Sequence, residues 1–447
     1  MQKYVPEKHL SKKVIVRQIV IEGNVITRKS IITREMSIQE GDTLEADSIR
    51  QLLNQNKLRL INLSLFNDIN MNIEEVTKNK IDWHIKVKER WFILPKFNFE
   101  LADRNFNTWW VQQNHDLSRA NVGVTIYDYN FRGNLENLSA TIQQGYTRKY
   151  ALNYQAPYAD KHQKWGYGFG ISLAQSRQTY FATDSNKLQY VSSADNSDIL
   201  LQTEANINFV YRPAYATRHR LTITYKDYSI SDTIVKLNPL YFEDGKNRAR
   251  MIEFLYRLEL NYVDNWNYPL YGFKLVGYAV SRIGMEGISA QHYINIETGV
   301  FHSIIPKWYI SAIVRGRLMF PEKQPYYFEG GLGTQTDYVR GYEYYVIDGS
   351  QYGLLRLDLK HEIFNKTYHL PWQYFTSIPL RVYPKIFADV GYLKSSYPGY
   401  NSFLDNRVLY SVGAGIDIVT LYDLKIRIEI AYNQLAQNGL YLHFNSE

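Results

Sequence analysis

The sequence predicts a transmembrane antiparallel β-barrel of about sixteen strands, preceded by one small α+β module. Three observations carry this. From Trp91 onward, apolar and polar residues alternate with a period of two over run after run. Short connections between the runs alternate loosely with long ones, the asymmetry of a barrel with one rim in each compartment. Tyr, Phe and Trp make up 15% of the chain at a mean hydropathy of −0.37, the balance of an aromatic-girdled barrel with a polar lumen.

The module occupies 14–90, after an N-terminal extension of 1–13. Val14 to Ile21 (VIVRQIVI) is a β-rich run closed by Glu22-Gly23-Asn24. Lys29 to Met36 suits a short helix, which Glu40-Gly41-Asp42 ends. Apolar residues then recur at helical spacing at Leu44, Ile49, Leu52, Leu53, Leu58 and Ile61. Two strands follow. Ile69, Met71 and Ile73 alternate with Asn70 and Asn72, and Ile81, Trp83, Ile85 and Val87 with Asp82, His84, Lys86 and Lys88. The order is β-α-α-β-β, and the charged Lys88-Glu89-Arg90 marks its end.

Residues 91–447 read as the barrel. Leu424, Ile426, Ile428, Ile430 and Tyr432 share one face, with Lys425, Arg427 and Glu429 on the other. Phe254, Tyr256, Leu258 and Leu260 oppose Glu253, Arg257, Glu259 and Asn261; Leu355, Leu357 and Leu359 oppose Arg356, Asp358 and Lys360. Runs start near Phe92, Val122, Leu135, Lys149, Trp165, Ile199, His219 and Met251. Further starts fall near Gly272, His292, Trp308, Tyr352, Ile378, Arg407, Leu424 and Gly439. The short turns include Arg132-Gly133-Asn134, Pro269 to Gly272 and Tyr422-Asp423; the long connections are 176–198, 231–248, 321–350 and 393–406. A soluble sandwich or propeller would also alternate. Aromatics gathered towards strand ends (Tyr127, Tyr129 and Phe131; Tyr150, Tyr154 and Tyr158) and the lack of a repeat of about 40–50 residues favour the membrane barrel.

Composition narrows the chemistry. The chain has no cysteine, so disulfides and thiolate sites are excluded. No eighteen consecutive residues are apolar, so no transmembrane helix is expected. The net charge of +7 is scattered without a run of five basic residues, which fits solvated faces and a polar lumen rather than nucleic acid. The N-terminus, MQKYVPEKHLSKK, has no apolar core of a signal peptide, as in a mature or trimmed chain or one that is not exported. The ten histidines show no metal-ligand spacing, and no G-x-S-x-G or phosphate-binding glycine loop occurs. Gly166, Gly168 and Gly170 alternate along a strand and are expected to relieve crowding inside the barrel; Trp109-Trp110 reads as an interfacial anchor. No catalytic residue, cofactor or metal is expected.

One loop stands out. Phe328 to Ile347 (FEGGLGTQTDYVRGYEYYVI) places Arg340 within Val339-Arg340-Gly341-Tyr342. On the next strand but one, Phe387, Asp389 and Gly391 share a face opposite Ile386, Ala388 and Val390, and the glycine leaves room for an incoming loop. A bidentate Arg340–Asp389 pair would pin that loop. The chain ends Gln437-Asn438-Gly439-Leu440-Tyr441-Leu442-His443-Phe444, with Leu440, Leu442 and Phe444 alternating towards one side, and Asn445-Ser446-Glu447 beyond.

These motifs resemble the BamA-type superfamily, in which a periplasmic polypeptide-transport-associated (POTRA) domain precedes an outer-membrane barrel. The resemblance runs from about Val14 to Phe444. It implies that Val339-Arg340-Gly341-Tyr342 is the family's lumen-inserted loop motif. Phe387-Ala388-Asp389-Val390-Gly391 is then its partner motif, and Gln437, Gly439, Leu442 and Phe444 belong to the barrel-ending signal read by assembly machinery. It further implies a non-enzymatic role in inserting barrel proteins or exporting polypeptides. The partners would be outer-membrane lipid, client polypeptides and accessory proteins at the POTRA domain, with the seam between first and last strands as a lateral gate that Gly439 weakens. A single POTRA module, where the essential insertase has several, leaves a secretion pore, an accessory assembly factor or a relative anchoring a patatin-like lipase open. A passive porin is the rival reading.

Overall fold

The structure, a computed structural model, describes residues 11–101, 110, 114–115, 117, 120–193, 197–334, 337–369, 377–395, 402–420 and 424–445. The N-terminal module comprises β1 (Lys13–Glu22), α1 (Lys29–Glu35), β2 (Thr43–Glu45), α2 (Ile49–Ile61), β3 (Phe66–Thr77) and β4 (Lys80–Glu89). Its sheet has the order β2-β1-β4-β3, with β1 and β4 parallel. Val14, Val16, Ile31, Ile32, Leu60, Ile81 and Trp83 are fully buried between sheet and helices. Leu44 departs from the helical reading. It pairs with Val14 in the edge strand β2, and the helix starts at Ile49. An apolar residue that packs on the core from a strand end mimics one more helical turn in a sequence pattern.

The barrel starts with β5 (Ile93–Leu101), β6 (Ala120–Phe131), β7 (Glu136–Gly145), β8 (Thr147–Ala156) and β9 (Trp165–Ser176). A separate hairpin, β10 (Gln178–Asp184) and β11 (Lys187–Ser192), leads to β12 (Leu200–Ala214), β13 (Thr217–Ile230) and the short α3 (Asp232–Leu237). Then come β14 (Arg248–Val263), β15 (Gly272–Glu286), β16 (Gln291–Ile305) and β17 (Trp308–Phe320). The long loop that follows holds α4 (Tyr326–Glu329), β18 (Gly331–Leu332) and β19 (Ile347–Asp348). The wall finishes with β20 (Gln351–His361), β21 (Phe364–His369), β22 (Ser377–Lys394), β23 (Val408–Val419), β24 (Lys425–Asn433) and β25 (Asn438–Asn445). Both β20 and β21 pair with β22, at its two ends, and form one broken strand. Counted so, sixteen strands among the described residues close the ring, with β25 beside β5. No helix among the described residues is long and apolar enough to cross a membrane; the strands do that work.

Burial is inverted relative to a soluble protein. On β24, Ile430 and Tyr432 are 61% and 52% exposed on the outside, while Glu429 and Asn433 are buried inside. Phe97, Phe169, Phe209, Leu318 and Ile386 face outward in the same way. An exposed apolar belt around buried charges is what lipid demands of a barrel.

The two rims differ. At the far rim, two of the long connections carry their own structure, which alternation alone did not reveal: 176–198 folds into the β10–β11 hairpin and 231–248 into α3. Tyr228, Ile234, Tyr241, Phe242, Tyr326 and Phe328 make an apolar core under this lid. At the near rim the module touches the barrel. Arg28 N–H donates to Gly133 O at 3.0 Å, and Asn130 Nδ2 to Thr27 Oγ1 at 2.9 Å. Tyr158 belongs here, buried at this junction rather than in an exposed aromatic girdle. Trp109 and the turn residues Tyr422 and Asp423 lie outside the described residues; Trp110 is exposed.

Candidate functional site: a loop anchored in the lumen

The loop between β17 and β20 folds back against the inner wall. Val339, Arg340 and Tyr342 are all nearly fully buried. Arg340 Nη2 donates to Asp389 Oδ1 at 2.5 Å and its Nε to Asp389 Oδ2 at 2.9 Å, a forked grip. The Arg340 backbone N–H adds a bond to Asp389 Oδ2 at 3.0 Å. Nη1 reaches Asp358 Oδ1 at 2.7 Å and Glu429 Oε1 at 3.2 Å. The guanidinium also stacks on Phe387, 3.9 Å from the ring centroid.

The motif residues on β22 have separate jobs. Phe387 offers the ring, Asp389 the carboxylate, and Gly391 the space: a Cβ there would stand 2.6 Å from Val339 Cγ2. Gly341 has φ +87°, a conformation glycine adopts freely. Its carbonyl accepts from Asn433 Nδ2 at 2.7 Å.

Register explains where the loop docks. Phe387 lies opposite Gly413, Gly413 opposite Ala431, and Ala431 opposite Gly439. Three small residues in adjacent strands make a shallow shelf on the inner wall. The Phe387 ring lies over Gly413, the Tyr441 ring over Gly439, and Gly341 approaches Ala431. Gly439 therefore makes room for Tyr441, which is 3% exposed and whose hydroxyl lies 3.5 Å from Gly341 O.

Around the anchor the charges interlock. Lys385 Nζ is 2.8 Å from Asp417 and 2.7 Å from Glu429, and Arg427 Nε is 3.1 Å from Asp417. His443 on β25 stands 3.7 Å from Glu343 of the loop and 3.6 Å from Glu429. The loop thus touches the wall at β20, β22, β24 and β25. Gln437 joins through its amide, with Nε2 2.9 Å from the Tyr345 hydroxyl. Leu440 faces outward at 60% exposure and Leu442 is half-buried; the side chain of Phe444 lies outside what the structure describes, though its backbone pairs with Ile426.

Sequence reading missed Asp358, Glu429, Lys385 and Asp417 as partners, though it put Asp358 and Glu429 on polar faces. It also missed the junction pair. Arg212, at the near end of β12, donates from Nη1 to Glu35 Oε1 at 2.5 Å and from Nη2 to Glu35 Oε2 at 2.8 Å. Both side chains are buried, and Tyr158 and Arg34 complete the cluster. Helix α1 is thereby tied to the barrel. The signal available was spacing: Glu35 follows Ile31 and Ile32 by four and three residues, on the apolar face of a short helix. Among the described residues no group of three or more His, Cys, Asp or Glu side chains is placed to hold a metal ion.

Residues 14–90 match the POTRA family model, described as a surface antigen variable number repeat. Residues 14–90 thus form a POTRA domain, and among the described residues a closed barrel of sixteen strands follows it. Among solved structures it is similar to BamA from Haemophilus ducreyi lacking POTRA domains 1–3, with a TM-score of 0.53 and 15% identity, covering 96% of this chain and 84% of that one. It is also similar to CdiB from Escherichia coli, with a TM-score of 0.57 and 12% identity over 96% of this chain and 75% of that one. CdiB from Acinetobacter baumannii gives 0.51 and 12%, over 97% and 73%. No curated protein matches at the level of sequence.

Proposed function

We propose that this protein sits in a bacterial outer membrane with its POTRA domain in the periplasm. There it assists either the insertion of β-barrel proteins or the export of polypeptides, without enzymatic chemistry. The observation that carries the reading is the Arg340 anchor: the loop is held inside the lumen by three carboxylates while also touching the last strand through Tyr441 and His443. A passive channel would not need a POTRA module joined to such a tethered loop. The likeness to BamA and CdiB supports the reading through the fold.

The physical steps follow from this geometry. β3 is an edge strand of the POTRA sheet, and its free edge can accept a client strand by β-augmentation. The β25–β5 seam is where the ring starts and ends in sequence, and a client released there meets lipid. The loop holds β20, β22 and β24 in register behind that seam.

Reconstitution in liposomes tests the proposal. The wild-type chain is expected to speed insertion or translocation of client polypeptides while showing little steady conductance in planar bilayers. Arg340→Ala is expected to lose the former and raise the latter. A large steady conductance in the wild type, with no effect on clients, would leave the passive channel as the better reading.

A further inference from the structure

The far rim carries a second charged site, apart from the lumen arginine. Glu329 ends α4 and Asp348 ends β19, both in the loop between β17 and β20. With Thr183 and Asn186 of the β10–β11 hairpin, Tyr326 and Ser402, they line a cavity of about 20 Å³. That is room for one ion or one water.

Glu329 is 4% exposed, and among the described residues its Oε1 has no hydrogen-bond partner. A buried carboxylate oxygen left so is costly. Asp348 repels it, and the facing cation is Arg317, whose Nη2 donates at 2.8 Å to the main-chain carbonyl of Glu329 rather than to its carboxylate. The neighbouring phenols, Tyr180 and Tyr326, are held neutral by burial. Burial first, then Asp348, push the Glu329 carboxyl up to about 8, against Arg317.

Three segments meet at this point. Asn186 Nδ2 donates to Val346 O at 3.0 Å and to Ser402 Oγ at 2.9 Å, and Asn186 Oδ1 accepts from Phe403 N–H at 3.0 Å. Thr183 Oγ1 lies 2.9 Å from the Tyr326 hydroxyl. The side chains lining the cavity offer oxygen donors and no imidazole or sulfur, a set that suits hard cations and not zinc.

We propose that this cavity binds a hard divalent cation, calcium in preference to magnesium. Glu329 and Asp348 supply the charge, and the hydroxyl and amide oxygens that line the cavity complete the shell. Calcium tolerates irregular oxygen geometry where magnesium demands an octahedron. Two carboxylates place the affinity in the weak class of extracellular sites, on the order of 10⁻⁴–10⁻³ M. The ion would tie the hairpin, the loop and the Ser402 segment together as one lid.

The test uses the full chain in detergent micelles, stripped with EDTA and titrated calorimetrically with CaCl₂, MgCl₂ or ZnCl₂. Folding of each protein is checked by its heat-dependent gel shift. CaCl₂ is expected to bind once per chain. Glu329→Gln and Asp348→Asn are each expected to weaken binding about tenfold or more. No saturable binding of CaCl₂ or MgCl₂ to the folded wild type, or equal binding to folded Glu329→Gln, overturns the site. Tighter binding of MgCl₂ or ZnCl₂ than of CaCl₂ overturns the assignment to calcium.

Discussion

The guanidinium of Arg340 rests 3.9 Å from the centroid of the Phe387 ring while it grips Asp389, two residues further along the same strand face. A planar cation is needed to stack and fork at once, and lysine can do neither well. Arg340→Ala leaves Asp389, Asp358 and Glu429 buried together with one cation fewer. We expect a loss of about 3–5 kcal/mol in equilibrium unfolding of the barrel in lipid vesicles, with Arg340→Lys recovering only part. A loss below about 1 kcal/mol would mean that the pair contributes no more than an exposed one.

The junction gives a second prediction. Glu35 and Arg212 form a buried ion pair between α1 and β12. Arg212→Ala leaves the buried Glu35 carboxylate to Arg34 and the Tyr158 hydroxyl, so the POTRA domain should leave its seat on the rim. The chain has no cysteine, so spin labels at Gln51→Cys and Lys307→Cys report the distance without background. A narrow distance distribution in the parent and a broad one in Arg212→Ala is the expected result. Two equally narrow distributions would show that the remaining junction contacts, such as Arg28 to Gly133 and Asn130 to Thr27, suffice.

How much of this was legible from the chain depended on the range of the interaction. The period-two runs located the strands because lipid outside and charge inside impose alternation on each strand alone. Arg340 and Asp389 were legible because each sits in a recognisable local motif. Asp358 and Glu429 were not, because their meeting depends on register: Arg356 lies opposite Asp389, and Asp358 opposite Phe387, a relationship no single strand encodes. The shelf of Gly413, Ala431 and Gly439 is likewise a row across strands. Leu44 misled in the other direction, since its packing resembles a helical repeat but is made from an edge strand.

Within the POTRA domain, acid should loosen the sheet. Arg17 Nε donates to Asp82 Oδ1 at 2.7 Å and Gln18 Nε2 to Oδ2 at 2.8 Å. The Arg17 hydrogen bonds, foremost, hold the Asp82 carboxyl below its ordinary 3.8 despite burial. A carboxylate depressed in the folded state contributes stability above its unfolded pKa, and that stability disappears as the pH falls through the folded value. Hydrogen exchange of the β1 and β4 amides, corrected for intrinsic rates, is therefore expected to show less protection below pH 3 than at pH 6. Asp82→Asn should be less protected at pH 6 and nearly flat between the two. The same pH response in both proteins would assign the effect to other groups.

The last prediction concerns space rather than charge. A Cβ on Gly391 would stand 2.6 Å from Val339 Cγ2, closer than carbon atoms tolerate, so Gly391→Ala must push the loop off the wall or twist Val339. Overpacking of this kind typically costs about 1–3 kcal/mol. Because Val339 precedes Arg340, a shift there also disturbs the fork on Asp389, which adds to the cost. Trimming the valine should undo the damage. In a double-mutant cycle, Val339→Ala is expected to be destabilising in the parent and stabilising in the Gly391→Ala background, a coupling of about 1 kcal/mol or more. Unfolding in lipid vesicles measures all four corners. If the two substitutions simply add, Val339 is not what Gly391 makes room for, and the glycine serves the strand instead of the loop.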